Sequence, residues 1–201
     1  MPATVDYFMT PVSPFTYIGH DRLRQICGQR GAQINLLVMD LGKVFPASGG
    51  LPLKDRPPQR RAYRMMELKR WRDFLGIPLT LEPKFFPVPA EAAATLILAV
   101  LERHGVEPAL DVAGDCLRAI WTEERDISAR ETLLEIARAR GLDADALLAH
   151  ASSAGVAARY VMNSQEAIAR GVFGSPTYIL NDELFWGQDR LDFLDRALAR
   201  S

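Results

Sequence analysis

Ser13 stands directly ahead of Pro14, Phe15, Thr16 and Tyr17, where an apolar run from Val5 to Met9 gives way to apolar residues recurring at helical spacing. A serine followed by proline marks a helix N-terminus. The hydroxyl caps an unpaired backbone N–H, and proline at the first helical position gives up only an N–H that has no partner there. Such a terminus also gathers unpaired donors and the positive end of the helix dipole, so a hydroxyl placed there can help to hold an anion. Capping alone accounts for the residue, and anion binding is the chemistry it could add.

Few other side chains compete with it. Cys27 and Cys116 are far apart, form no Cys-x-x-Cys or metal-ligand pattern, and read as small core residues. His20, His104 and His150 are scattered, each placed near the start or end of an expected helix with no His-x-x-x-His pairing, so no metal is expected. The 201 residues carry 24 basic and 25 acidic side chains and are 48% hydrophobic. That balance suits one domain, or a core with a large insertion, and argues against a nucleic-acid partner. Residues 1 to 10 hold no basic stretch leading into an apolar run, and no segment reaches about 18 consecutive apolar residues. No membrane partner is expected, and the chain is placed in the cytoplasm.

The elements that must position Ser13 begin as β-α-β: strand Val5–Met9, helix Phe15–Arg30 closed by Gly31, and strand Gln33–Asp40. The second strand, Ile34 to Met39, is almost continuously apolar, which suits burial on both faces. From Gly42 to Pro58, the breakers Pro46, Gly49, Gly50, Pro52, Pro57 and Pro58 predict a long loop, of the binding-loop or lid kind because it leaves the end of a buried strand. Gln59–Leu75 reads as a helix with Tyr63, Met66, Trp71 and Phe74 near one face. Its basic side, with Arg60, Arg61, Arg64, Lys69 and Arg72, reads first as solvated and second as an anion collector.

Past a proline-rich bend, Pro83-Lys84-Phe85-Phe86-Pro87-Val88-Pro89, helical patterns run to Gly171. They are Ala90–His104, Pro108–Glu124, a helix opened by the capping box Ser128-Ala129-Arg130-Glu131, another opened by Asp143, and Val156–Arg170 after Gly155. The chain then returns to β-structure as Thr177–Leu180, a tight turn at Asn181-Asp182, Leu184–Trp186, and a last helix from Asp189 through Ala199. The order β-α-β…β-β-α is that of an α/β, thioredoxin-like domain with helices inserted between its halves. Residues 1–58 and 171–201 are expected to form that domain and 59–170 the inserted helical domain.

Three segments then take on meaning together. Ser13-Pro14-Phe15-Thr16 occupies the place where thioredoxin-like oxidoreductases carry Cys-x-x-Cys. Gly171-Val172-Phe173-Gly174-Ser175-Pro176-Thr177 sits where that fold keeps a cis-proline, and Phe185-Trp186-Gly187-Gln188-Asp189-Arg190-Leu191 opens the last helix. With Leu68-Lys69-Arg70-Trp71 and Gly76-Ile77-Pro78-Leu79, they closely resemble the 2-hydroxychromene-2-carboxylate isomerases, glutathione-dependent relatives of the kappa-class glutathione transferases. The resemblance covers nearly the whole chain. It implies bound glutathione, a homodimer, a small aromatic substrate and a place in the catabolism of aromatic hydrocarbons.

Carried over position by position, the resemblance makes Ser13 the active-site serine, with its hydroxyl against the glutathione sulfur. A hydrogen-bond donor and a helix dipole there favour the thiolate. No base is evident to deprotonate Ser13, so the sulfur and not the serine is expected to attack. Ser175 and Pro176 would meet the cysteinyl part of glutathione in the manner of an added strand. Trp186, Gly187, Gln188 and Asp189 would hold the γ-glutamyl end, Asp189 pairing with its ammonium group while capping the last helix.

The chain also departs from the family. Where members read Phe-Asp-Phe-x-Ser-Pro it has Met9-Thr10-Pro11-Val12-Ser13-Pro14, and so lacks an acid three positions before the serine. Where they hold a lysine and an asparagine after the second strand it reads Lys43-Val44-Phe45-Pro46-Ala47-Ser48-Gly49-Gly50. Lys43 and Arg56 are then candidate carboxylate binders, with Phe85 a further substrate contact. The implied reaction interconverts 2-hydroxychromene-2-carboxylate and trans-o-hydroxybenzylidenepyruvate. The alternatives are kappa-like conjugation of glutathione to an electrophile and a non-catalytic glutathione-binding module. Dithiol exchange is the weakest rival, because Ser13 and Thr16 cannot form a redox pair.

Overall fold

The computed structural model describes residues 2–201. Strands β1 (Thr4–Met9), β2 (Gln33–Val38), β3 (Thr177–Leu180) and β4 (Glu183–Trp186) form one sheet in the order β2-β1-β3-β4. β1 runs parallel to β2, with Tyr7 opposite Leu36, and antiparallel to β3, with Tyr7 opposite Tyr178. The parallel pair needs a crossover, which α1 (Pro14–Arg30) supplies. The antiparallel β3–β4 pair needs only Asn181 and Asp182, whose φ values of 49° and 65° are left-handed conformations that short polar side chains tolerate.

Between β2 and β3 lie α2 (Leu41–Ser48), α3 (Pro58–Leu75), α4 (Glu91–His104), α5 (Val106–Trp121), α6 (Arg130–Ala139), α7 (Ala144–Ala151) and α8 (Ala154–Ala169). The short helix α9 (Leu191–Leu198) follows β4. This is the expected thioredoxin-like fold with helices inserted between its halves. Among the described residues no helix is long and apolar enough to cross a membrane.

Alternating side chains of β1 enter two different cores. Val5, Tyr7 and Met9 join Leu23 of α1, Ile97 of α4 and Ile120 of α5 in one continuous apolar cluster. Phe8 packs on the opposite face with Leu37, Val44 of α2 and Ala167 of α8. The edge strand β2 is therefore buried at Leu36, Leu37 and Val38, while its first three residues stay partly or fully exposed. Helices α1 and α5 lie antiparallel. Arg24 pairs with Glu107 and Asp111, while one turn earlier His20 bonds the Leu110 carbonyl and lies against Gly114.

Several sequence expectations change. The segment 42–58 is not one long loop. β2 stops at Val38, and Asp40 caps α2 by accepting from the Gly42 N–H at 2.8 Å. Val44 anchors that helix in the core, which outweighs the one hydrogen bond lost at the internal Pro46. A 3-10 turn at Leu53–Asp55 follows. On α3 the buried stripe is Leu68 with half-buried Met65, Trp71 and Leu75, whereas Tyr63, Met66 and Phe74 face outward.

The capping box at Ser128 does not form, because its hydroxyl and N–H both turn back to Asp126 Oδ1, at 2.7 and 2.8 Å, and Ala129 heads α6. Asp143 caps α7 as expected, but Ser153 caps α8 and leaves Gly155 inside it. Nor does Asp189 cap the last helix. Gln188–Arg190 form a 3-10 turn, and α9 begins at Leu191 with Arg190 ahead of it.

Candidate active site

Ser13 takes the extended backbone of an N-cap, and its Oγ accepts from the Thr16 N–H at 3.2 Å. The same hydroxyl donates to the Ser175 carbonyl at 3.1 Å, across the gap between α1 and the segment that enters β3. Ser175 is held from its other side as well. Its Oγ accepts from the Thr10 N–H at 3.1 Å and lies 2.8 Å from Thr16 Oγ1. The Ser175–Pro176 peptide is cis, at the position where the thioredoxin-like fold keeps a cis-proline.

Among the described residues the Ser175 N–H donates to no protein acceptor. The first turn of α1 holds no acidic residue, and the Phe15 N–H has no acceptor within the helix. The hydroxyl of Ser13 and these backbone groups therefore make a donor set with no carboxylate among them. Such a set suits an anion and a strand-like ligand backbone.

The segment after β4 is fastened to the same place. The Gly187 N–H donates to the Pro176 carbonyl at 2.9 Å, from a backbone at φ 102° that only glycine adopts without strain. Trp186 is half-exposed and tilts against Phe173, with ring centroids 4.7 Å apart. Gln188 is buried, its Oε1 and carbonyl oxygen accepting from Arg22 Nη1 at 2.8 and 3.3 Å, so that its side chain ties the segment to α1. Gly19 permits that approach, since a Cβ there would come within 2.8 Å of both Gln188 Cβ and Tyr178 Oη. Asp189 is partly exposed and pairs with Arg190 at 3.2 Å.

The expected substrate contacts are more dispersed. Lys43 lies exposed on α2. Arg56 donates from Nε to the Leu51 carbonyl at 2.8 Å, with its guanidinium 5.7 Å above the Phe45 ring. Phe85 is half-buried beneath the Lys84 ammonium, 5.0 Å away. None of the three bonds directly to Ser13 or Ser175.

Sequence reasoning left Arg64 among the solvated bases. Its guanidinium instead stacks 5.3 Å from the Phe86 ring and 6.0 Å from the Trp121 ring. Burial, with a smaller push from the charge of Arg56, lowers its pKa to about 10, so it remains a cation at neutral pH. The signal was present in the spacing. Arg64 precedes Leu68 by four residues, Trp71 by seven and Leu75 by eleven, which places it on the buried stripe. Trp121 in turn is tied to the start of α1 through residues 78–80: the Tyr17 hydroxyl donates to the Pro78 carbonyl at 2.7 Å, and the Thr80 N–H donates to the Trp121 carbonyl at 2.7 Å.

The remaining reactive side chains are closed off. Burial pushes the thiols of Cys27 and Cys116 up to about 12, so neither supplies a thiolate at neutral pH. His20 lies in the middle of α1, not at an end, and is buried. Its Nε2 donates to the Leu110 carbonyl at 2.9 Å, a tautomer that leaves Nδ1 to accept from Tyr7 Oη at 3.2 Å. Among the described residues no three of His, Cys, Asp and Glu are grouped to hold a metal.

Comparison with known proteins agrees with this architecture. The DSBA-like thioredoxin domain family matches residues 4–199. The 2-hydroxychromene-2-carboxylate isomerase of Sphingobium xenophagum is 30% identical over 199 residues, covering 98% of this chain and 99% of its own. A solved structure of 2-hydroxychromene-2-carboxylate isomerase superposes with a TM-score of 0.84 at 29% identity, over 98% of this chain and 95% of that one. Glutathione S-transferase kappa 1 of Caenorhabditis elegans is 24% identical, covering 98% of this chain and 91% of its own. The chain belongs to the DsbA-like thioredoxin family and, within it, to the 2-hydroxychromene-2-carboxylate isomerase family.

Proposed function

We propose that this protein is a glutathione-dependent cis–trans isomerase that interconverts 2-hydroxychromene-2-carboxylate and trans-o-hydroxybenzylidenepyruvate during the degradation of aromatic compounds. The observation that carries the reading is the Ser13 hydroxyl at the head of α1, bonded to the carbonyl of a cis Ser175–Pro176 unit whose N–H is free for a ligand. Relatives named as this isomerase and as kappa glutathione transferases support it. In this reading the protein works in the cytoplasm as a homodimer, with residues 1–58 and 171–201 binding glutathione and residues 59–170 forming the inserted helical domain.

Bound glutathione supplies a thiol whose anion can add reversibly to a conjugated carbon, turning a fixed double bond into one that rotates. The protein's part is to prepare that anion and restrain the substrate. Ser13 donates a hydrogen bond to the sulfur and, with the α1 dipole, lowers the pKa of the thiol. Ser175 and Pro176 align the cysteinyl backbone as an added strand. Gly187 and Trp186 bound the γ-glutamyl end, Asp189 pairs with its ammonium group, and Gln188 holds the segment in place through Arg22. Cations at the start of α3 and its approach offset the carboxylate and the negative charge that develops on the substrate's oxygen.

The test is direct. Purified protein mixed with glutathione is expected to develop thiolate absorbance near neutral pH and to interconvert the two substrates with glutathione recovered unchanged. Protein that neither binds glutathione nor isomerises the chromene would sink this reading. Kappa-like conjugation is the second reading, favoured by the transferase relatives. Consumption of glutathione with an aryl halide, without chromene turnover, would select it.

A further inference from the structure

Arg64 and Trp121 form an under-satisfied donor cluster. Among the described residues three buried side-chain polar atoms lack a hydrogen-bond partner: Arg64 Nη2, Trp121 Nε1 and Tyr178 Oη. The first two belong to side chains in contact, and both are donors. A buried donor without an acceptor costs about 1–3 kcal/mol, more when it is charged, so two together point to a missing acceptor. Stacking on Phe86 and Trp121 satisfies only the faces of the guanidinium, and its in-plane N–H groups still need oxygen. What Arg64 has is weak: Nη1 lies 3.7 Å from the sulfur of Met65.

The charge around the cluster points the same way. No acidic residue lies between Arg56 and Arg64, a stretch that also holds Arg60 and Arg61. Among the described residues none of these four arginines forms an ion pair with a carboxylate, although most other arginines in the chain do. Arg56 is close enough to depress the Arg64 pKa, and Arg60 does the same to Arg56. Two partly buried cations held near each other are mutually repulsive, and an anion between them removes that cost.

From this we propose that Arg64, assisted by Arg56, receives the carboxylate of an aromatic acid whose ring lies along Phe86. The inference rests on the isomerase reading for its choice of acid and adds a specificity-determining residue to it. Nη2 is shielded in the present arrangement, so the acceptor enters as the long Arg64 chain swings outward, exchanging a donor with no partner for a charge-assisted bond. The contacts through residues 78–80 tie this receptor to the start of α1, the helix that Ser13 caps, where a thiolate and an aromatic acid must meet. A carboxylate could also come from the glycyl end of glutathione, and the aromatic floor favours the substrate.

The experiment is calorimetric titration of the full-length protein with trans-2-hydroxycinnamate, its methyl ester and glutathione, each for wild type, Arg64→Gln and Arg64→Lys. Loss of one charged bidentate contact is expected to weaken 2-hydroxycinnamate roughly 10- to 100-fold in Arg64→Gln, with partial recovery in Arg64→Lys. The ester should bind weakly and alike to all three, and glutathione affinity should be unchanged, which also reports that the variants are folded. Equal 2-hydroxycinnamate affinity in wild type and Arg64→Gln would overturn the proposal. So would a loss confined to glutathione, which would assign the cation to the tripeptide. Arg64-dependent binding of 2-hydroxycinnamate by a protein that ignores glutathione would uphold the receptor and remove the isomerase reading instead.

Discussion

Two arginine-rich regions of this molecule treat the same side chain in opposite ways. Across α5 and α6, Asp115 bridges Arg118 and Arg140, Asp111 joins Arg24 to Arg140, and Arg125 reaches both Glu123 and Glu135. At the start of α3, Arg56 and Arg64 have only a carbonyl, a thioether and aromatic faces. The first region gives each of these arginines a carboxylate nearby. Asp115 is largely buried, but the other pairs are partly exposed, individually weak and screened by salt, and together they fix one helix against another. The second region leaves its charge unreturned in a half-buried setting, where an incoming anion gains most. Arginine content therefore says little about anion binding; the distribution of carboxylates around it decides.

The contrast can be broken at several points. The largest effect is expected at Ser13, which in the proposed reading stabilises the anion that the α3 cations complement. Ser13→Ala should cut isomerisation about 100- to 1,000-fold and abolish the neutral-pH thiolate absorbance, while substrate carboxylate binding is unchanged. Smaller is Arg56→Glu, which supplies the missing internal carboxylate. It should raise KM roughly 30-fold with little change in kcat, while the midpoint of urea unfolding stays level or rises. A KM unchanged in that variant would make the cation-rich start of α3 no different from a solvated face.

Asp115→Asn probes the other region. Leaving Arg118 and Arg140 without their shared carboxylate should cost about 2 kcal/mol of stability in denaturant titration and alter activity less than twofold. The smallest effect concerns His20, whose pKa burial lowers below the ordinary histidine value. Below pH 6.5 the unfolded chain binds a proton that the native chain refuses, so stability falls with falling pH until the native His20 also titrates. The slope is at most about 1.4 kcal/mol per pH unit. Denaturation midpoints of His20→Gln measured from pH 5 to 7.5 should lack that component, and an unchanged slope would mean other groups carry it.

Much of the framework was legible in the sequence, for identifiable reasons. Ser13-Pro14, Gly31 and Asn181-Asp182 each fix a boundary through local backbone chemistry, and the strands and most helices between them carry clear periods. α2 escaped because Pro46 and the glycines after it look like a loop. The cue in its favour, Asp40 as a cap with Val44 turned inward, depends on a core that only the folded chain provides. The reading of α3 grouped Tyr63, Met66 and Phe74 as an apolar face, and that choice hid Arg64. Centring the stripe on Leu68 exposes it at once. The bonds from Ser13 and Thr16 to Ser175 span some 160 positions of chain, and only the family motifs, not any local pattern, hinted that these residues meet.

The bond from the Ser13 hydroxyl to the Ser175 carbonyl has one more implication. A donor already satisfied by a neutral oxygen gains nothing by turning toward another neutral atom, and a protonated thiol leaves it where it is. A thiolate offers a charge-assisted bond about twice as strong, enough to draw the hydroxyl away from its resting partner. In the proposed reading Ser13 thereby acts as a comparator between two acceptors, contributing little to holding a ligand as such and selecting the ionised form of whatever ligand is held.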